Sequence, residues 1–281
     1  MTTAEHAPSA AVPQNLRSIP FAPAHLPAAL RLSEQVGWPH RVEDWELNLS
    51  LSDGVAVLEG EDLVGTAFCT RFGDVALLNM IIIDEQRRGR GLGRRVMEEA
   101  IALAEDSEMR LVATPEGMPL YCKLGFVAVG QIVQHQGIAL DTIPELQVGS
   151  GAAEDVERLT AMDRDATGME RGELLRRIAG QGQVLLAAGG FAMLRDFGRG
   201  HVLGPVVARD EKTARALIAE GVRRCAGGFL RIDIPQEWGL SDFVASLGLA
   251  HAGDGTAMTC PATTAEQNEY TTFALVSQAL G

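Results

Sequence analysis

The run Gln86-Arg87-Arg88-Gly89-Arg90-Gly91-Leu92-Gly93 carries the most specific chemistry in this 281-residue sequence. The first N–H groups of a helix have no partner within the helix and sit at the positive end of its dipole. Glycines at such a turn let a phosphate approach those groups with no Cβ in the way. Arg88, Arg90 and Arg94 add positive charge around the same turn. The expected ligand is a phosphate or pyrophosphate. Two elements must position the turn. The nearly unbroken apolar run over 75–83 reads as a strand. Leu92, Val96, Ala100 and Leu103 share one face at helical spacing, so 92–105 reads as a helix packed on a sheet.

The spacing narrows the ligand. A P-loop ends in Gly-Lys-Ser/Thr, which is absent here. A dinucleotide fingerprint G-x-G-x-x-G counted from Gly89 needs glycine where Arg94 stands, and the turn follows several earlier strands. What remains is Q-x-x-G-x-G. About thirty residues downstream comes Thr114-Pro115-Glu116-Gly117-Met118-Pro119-Leu120-Tyr121-Cys122-Lys123-Leu124-Gly125-Phe126. The pair of motifs resembles the acyl-CoA loop and the Leu-Tyr-x-Lys-Leu-Gly-Phe helix of the GCN5-related N-acetyltransferase (GNAT) superfamily. Ala113 to Gly117, Gly37-Trp38, Asp44-Trp45, Gly204-Pro205 and Phe273-Ala274-Leu275 extend the resemblance over most of the chain. They are closer to a subgroup with a second, GNAT-like C-terminal domain.

The resemblance implies a fold, a reaction and a set of residues. The fold is α/β: two tandem GNAT-like domains, each a mixed, mostly antiparallel sheet flanked by helices. The reaction is acetyl-CoA-dependent N-acetylation of a primary amine on a small molecule or peptide. Backbone groups of Ile81, Ile82 and Ile83 pair with the pantetheine arm like an added strand. Arg88, Gly89, Arg90, Gly91, Leu92, Gly93 and Arg94 hold the pyrophosphate, and Thr114 stands where many members place a polar CoA contact. Tyr121 protonates or hydrogen-bonds the CoA sulfur. Trp38, His40 and Trp45 fall near the helix pair that often borders the acceptor. As aromatics on helices they are equally explained as core, and Thr114 as a helix cap. Asp74, Glu116, His40 and Asp44 are candidate bases by position, and a water chain is the alternative. A reading of another class is a CoA-binding sensor or partner-binding module without turnover. Retention of Tyr121 favours the enzyme.

Along the first half, strands are expected at 16–21, 55–59, 63–70, 75–83, 110–113 and 126–134, with helices at 23–36, 42–51, 92–105 and around Tyr121. The second half repeats the pattern. Ser246-Leu247-Gly248-Leu249-Ala250-His251-Ala252-Gly253 echoes Lys123-Leu124-Gly125-Phe126-Val127-Ala128-Val129-Gly130 at an offset of 123. A hairpin over 184–194, a strand at 202–208, a helix at 211–225, a strand at 230–234 and a helix at 237–247 follow the first half's order. At this offset the glycine turn becomes Lys212-Thr213-Ala214-Arg215-Ala216, and Tyr121 becomes Val244. The second half therefore keeps the architecture without either chemical signature. It shapes the substrate site, stabilises the first half or binds another ligand. The reading is a tail over 1–14, a catalytic domain over 15–142 and a degenerate domain over 143–281.

Composition excludes other classes. The net charge of −13 argues against nucleic acid or anionic membrane as partner. No apolar run approaches the roughly 18–20 residues that cross a bilayer. Residues 1–14 have no basic start and no apolar core of a signal peptide. Cys69, Cys122, Cys225 and Cys260 are scattered without C-x-x-C, which suits reduced thiols in a cytoplasm. His135, His201 and His251 lack metal-ligand spacing. No metal is expected.

Overall fold

The computed structural model describes residues 16–261 and 268–281, so the tail expected over 1–14 lies outside the described residues. The first half runs β1 (Leu16–Pro20), α1 (Leu26–Gln35), α2 (Val42–Leu49), β2 (Asp53–Glu59), β3 (Asp62–Phe72), β4 (Val75–Ile83), α3 (Leu92–Leu103), β5 (Glu108–Ala113), α4 (Met118–Lys123) and β6 (Val127–Ile138). The second runs β7 (Gly149–Ser150), α5 (Val156–Thr167), α6 (Gly172–Gln181), β8 (Gln183–Ala187), β9 (Gly190–Phe197), β10 (Gly200–Ala208), α7 (Glu211–Arg224), β11 (Phe229–Pro235), α8 (Ser241–Ser246), β12 (Leu249–Cys260) and β13 (Thr271–Ala274). The fold is α/β with helices flanking a mixed sheet. Only β4–β5 and β10–β11 pair in parallel among the described residues.

The internal duplication is visible in register. Helices α4 and α8 are separated by the offset of 123 found in the sequence (241 − 118). The glycines that follow them, Gly125 and Gly248, share φ = +94°. That left-handed conformation is costly for any residue with a Cβ, which explains the repeated Leu-Gly pair.

One expectation needs correction. The strand after α4 was expected to complete the first half's own sheet. Instead β12 lies between β5 and β6, pairing Thr256–Cys260 with Ala113–Met109 of β5. In return β6 pairs with β11, from Phe229↔Ile138 to Pro235↔Ile132. The two closing strands are exchanged and lie antiparallel to one another from Leu249↔Gly137 to Thr259↔Val127. Alternation along a strand specifies its inward face and leaves its neighbour open. Because the halves are repeats, either closing strand fits either edge. The exchange joins the described strands into one 13-stranded sheet.

Cores lie on both faces. Helix α3 buries Val96, Met97 and Ala100 against β2 to β5, together with Tyr121 and Phe126. Helices α1 and α2 cover the other face through Leu32, Trp45, Phe68, Met80 and Ile82. A third cluster joins Phe72, Val75 and Leu77 of the first half to Leu159, Leu174 and Ile178 of α5 and α6. Here Arg171 and Asp163 form a fully buried pair at 2.6 Å. Arg171 also donates to the carbonyls of Leu280 and Gly281, fixing the segment 275–281 across the sheet.

Candidate functional site

Strand β4 begins as a regular neighbour of β5 and then leaves it. Their parallel pairing covers only Val75–Leu77 against Glu108–Arg110. Past Leu77 comes a bulge, where Met80 and Ile81 stand opposite the single residue Ala67 of β3. Met80 has φ = +49°, rare for a residue with a Cβ. The Thr66 hydroxyl donates to the Met80 carbonyl at 2.7 Å and holds the distortion. Beyond the bulge, β5 bonds on its other edge to β12. A fork therefore opens between β4 and β5, with Ile81, Ile82 and Ile83 on its β4 side. Unpaired strand edges of this kind accept an extended ligand as an additional strand.

At the mouth of the fork stands the glycine turn. The Asp84 carboxylate accepts from Gln86 N–H at 2.9 Å and starts a short 3-10 turn over Glu85–Arg87. Gly89 and Gly91 follow with φ of +77° and +79°, and Gly91 is the N-cap of α3. A Cβ at either glycine would meet no protein atom within 4 Å. Packing therefore does not require these glycines, whereas their backbone conformation and the open approach do. The first helical bond of α3 is Arg95 N–H to the Gly91 carbonyl at 3.1 Å. Among the described residues, the amides of residues 89–94 have no hydrogen-bond partner. Gly93 differs: its absent Cβ would lie 3.3 Å from Leu120, so it permits close packing of α3 on α4.

The arginines are arranged less freely than their charges suggest. Arg90 and Arg87 both pair with Glu59 at the end of β2, and Arg90 first, then Arg87, hold that carboxyl below its usual range. Arg94 pairs with Glu98 at 2.7 Å, and Arg88 lies 3.8 Å from Glu85. The Arg94–Glu98 and Arg88–Glu85 pairs are exposed and weak, so an incoming phosphate can take these two arginines over. The fixed contribution to anion binding comes from the amides.

Tyr121, on α4, belongs to the core cluster against which Ile81 and Ile83 pack. Its ring is buried and packs edge-on against Phe126 at 6.3 Å. Gly117 makes room for it, since a Cβ there would stand 2.8 Å from the ring. The hydroxyl bonds to no described residue. It is also absent from the sealed, unpartnered polar atoms of the core, so it keeps an opening to solvent. Burial pushes its pKa up to about 12. Thr114 directly follows β5, and its hydroxyl oxygen accepts from the N–H of Gly117 at 3.3 Å, a local turn contact.

The acceptor candidates separate. Trp45 is fully buried, stacked on Phe21, with its indole N–H on Ser33 at 3.0 Å. It is a core residue with no surface to offer a ligand. Trp38 and His40 lie at the edge of the α1–α2 loop, ring to ring at 5.6 Å, and remain partly exposed. Burial pushes His40 down to about 4, so it is a weak base. Asp44 is committed to Arg41 and to the N–H of Gly198. Burial raises its pKa, but these donors outweigh burial and leave the carboxyl below its usual range. Asp74 precedes β4 at the end remote from the turn, and Glu116 is exposed.

The second half contains the same fork, filled. Strand β10 pairs with β11 only at His201↔Leu230 and Val202↔Arg231. Gly204 and Pro205 bulge opposite Met193, as Met80 and Ile81 do opposite Ala67. Into the gap comes β13, pairing Ala274, Thr272 and Thr271 with Val206, Val207 and Ala208. Leu275 N–H donates to Asp233 of β11 at 2.9 Å, and Trp238 holds the Thr272 carbonyl at 3.0 Å. No glycine turn precedes α7. The Asp210 carboxylate caps it by accepting from Thr213 N–H at 2.8 Å. Sequence reasoning saw the missing glycines and missed the strand. The β-prone Thr271-Thr272-Phe273 was its only local signal.

Comparison with known proteins identifies the family and the fold. Residues 52–128 and 159–274 each match a family model described as an acetyltransferase (GNAT) domain. The uncharacterized N-acetyltransferase YitH of Bacillus subtilis is 30% identical over 275 residues, covering 92% of this chain and 95% of that protein. A putative acetyltransferase from Pyrococcus horikoshii has the same fold, with a TM-score of 0.82 at 17% identity over 99% of this chain and 100% of that one. A GCN5-related N-acetyltransferase from Sphaerobacter thermophilus gives 0.62 at 16% identity, covering 89% and 96%.

Proposed function

This chain belongs to the GNAT acetyltransferases, and on that premise we propose that its first half binds acetyl-CoA and transfers the acetyl group to a primary amine of a small molecule or peptide. The observation that carries the reading is the β4–β5 fork ending on a glycine turn with unpartnered amides. We assign catalysis to a domain over 15–142 and a non-transferring role to 143–281. Family matches over 52–128 and 159–274 fall on either side of residue 142 and support this division.

Acetyl-CoA supplies an activated thioester. The chain's residues bind, orient and stabilise. Amides of residues 89–94 take the pyrophosphate, with Arg88, Arg90 and Arg94 around it. Ile81, Ile82 and Ile83 offer strand-edge groups to the pantetheine arm. Tyr121 aims its hydroxyl at the departing sulfur. A phenol with a pKa of about 12 does not hand its proton to a thiolate whose thiol titrates near about 8.5. It keeps the proton and donates a hydrogen bond as negative charge develops on sulfur. Neither His40 nor Asp44 suits the role of base, so we assign amine deprotonation to solvent, with exposed Glu116 the remaining side-chain candidate.

The filled second fork predicts one acetyl-CoA per chain. Calorimetric titration should give a stoichiometry of one, and two equivalent sites would overturn the assignment. Activity is tested by CoA release against a panel of amines, with mass spectrometry of the acceptor. Tight acetyl-CoA binding with no acetylated product from any amine would favour the sensor instead.

A further inference from the structure

The seam between the α1–α2 loop and the second half holds a buried cation whose nearest carboxylate, on Asp44, is shared with Arg41. Arg195 on β9 is 7% exposed, and its Nε is sealed without a partner. Its Nη1 reaches only the Asp196 carbonyl at 3.3 Å, and the nearest carboxylate oxygen, on Asp44, is 3.6 Å away. Asp44 already accepts from the Arg41 side chain, Arg41 N–H and Gly198 N–H. Asp233 is equally committed, to both arms of Arg231 at 3.0 Å and to Gln278 at 3.1 Å. Asp196 is exposed beside His201. Buried guanidinium groups are ordinarily paired and hydrogen-bonded, because stripping water from an unpaired charge is strongly unfavourable.

A cluster of rings and cations adjoins Arg195. Phe197 gathers three groups around its ring: Arg195 at 5.0 Å, Arg231 at 5.3 Å and the His40 ring at 5.5 Å. His40 Nδ1 is a second sealed atom without a partner. Partly exposed Trp38, Arg41 and His201 border the cluster. The cluster is also connected to the fork. Gln278, bonded to Asp233, lies where a Cβ on Gly255 would be 3.3 Å from its Oε1 and 2.5 Å from Val112 of β5. From there the segment runs on to Gly281, which abuts Leu77, the residue where β4 parts from β5.

We propose that Arg195 recognises a carboxylate on the amine acceptor, so that the second half selects substrates for the first. A guanidinium presents donors that match a carboxylate, and an unpartnered Nε is the group such a ligand satisfies. The inference rests on the acetyltransferase reading of the fork. It also gives a role to an Nε left without a hydrogen-bond partner in the seam.

Two measurements on the full chain decide it. In the first, the Arg195 Nε–H resonance of 15N-labelled protein, assigned by its loss in Arg195→Lys, is titrated with succinate and with succinamide. A saturable downfield shift with succinate alone is expected, and no saturable response to succinate overturns the site. In the second, CoA release is followed with amino acids and their matching amides. The wild type should prefer the carboxylate in kcat/KM by about tenfold or more, the scale of one charge-assisted bond. Arg195→Met should erase that preference, mainly through KM, with melting temperature unchanged or raised. A preserved preference, or a marked loss of stability with no change in preference, makes Arg195 structural and sinks the proposal. Absence of turnover with every acceptor counts against acetyl transfer alone, because the succinate titration decides the carboxylate site by itself.

Discussion

Gly91→Val abolishes acetyl-CoA binding, weakening it by about 100-fold or more, and leaves a folded protein. The expectation follows from two facts about one residue. Gly91 caps α3 with φ = +79°, and its missing Cβ faces open space. A valine there places branched carbon where the phosphate must approach the amides. Losing two or more charge-assisted bonds of about 1.5–3 kcal/mol each accounts for the magnitude. The backbone strain of a branched residue at this φ, about 1–3 kcal/mol, is a separate effect. Gly227→Val controls for it. Gly227 also has φ = +79° with nothing within 4 Å of its Cβ position, and it lies between α7 and β11, outside the turn. Both variants should melt somewhat earlier than wild type, and only Gly91→Val should lose the ligand by calorimetry. Unchanged affinity in Gly91→Val removes the turn from the binding site.

Tyr121→Phe should lower kcat by about 10–1000-fold, the range for a positioned donor acting in the transition state. Affinity for acetyl-CoA should hardly change, because the turn and the strand edge are untouched. Stability should not fall, since the hydroxyl bonds to no described residue and only that atom is removed. A loss confined to kcat marks an interaction made mainly as the thiolate forms. The same residue sets a pH expectation. Burial disfavours the phenolate and raises the pKa to about 12, so the donor is intact below that value and lost as pH rises through it. Any alkaline decline below about pH 11 should therefore be shared by wild type and Tyr121→Phe. Full turnover by the mutant would reduce Tyr121 to a packed aromatic.

Much of the donor site was legible because its signals are local. The apolar run over 75–83, the glycines at 89 and 91 and the helical face from Leu92 lie within 30 residues, and β4 and α3 begin where the pattern changes. Gly117 was part of a motif before the structure showed that it clears space for Tyr121. Other features depend on partners distant in sequence. Nothing around Glu59 announces that it will hold Arg87 and Arg90. The helix expected over 237–247 is broken because Gly239 takes φ = +62°, leaving a 3-10 turn before α8. Exchange of β6 and β12 is invisible to alternation, since the repeats offer equivalent edges. Trp45 on an amphipathic helix was open to either reading, and its bond to Ser33 across 12 residues decides for the core. The incomplete pairing of Arg195 requires three dimensions, because it is defined by what Asp44 and Asp233 already bind.

The central claim is that one fork of two binds the acyl donor. A crystal structure of the protein grown with acetyl-CoA tests it most directly. The predicted result is density for one ligand per chain: pyrophosphate on the amides of residues 89–94, pantetheine between β4 and β5, and sulfur within hydrogen-bond reach of the Tyr121 hydroxyl, with β13 still seated between β10 and β11. Ligand along β10 in place of β13, or density that avoids the glycine turn, would contradict it.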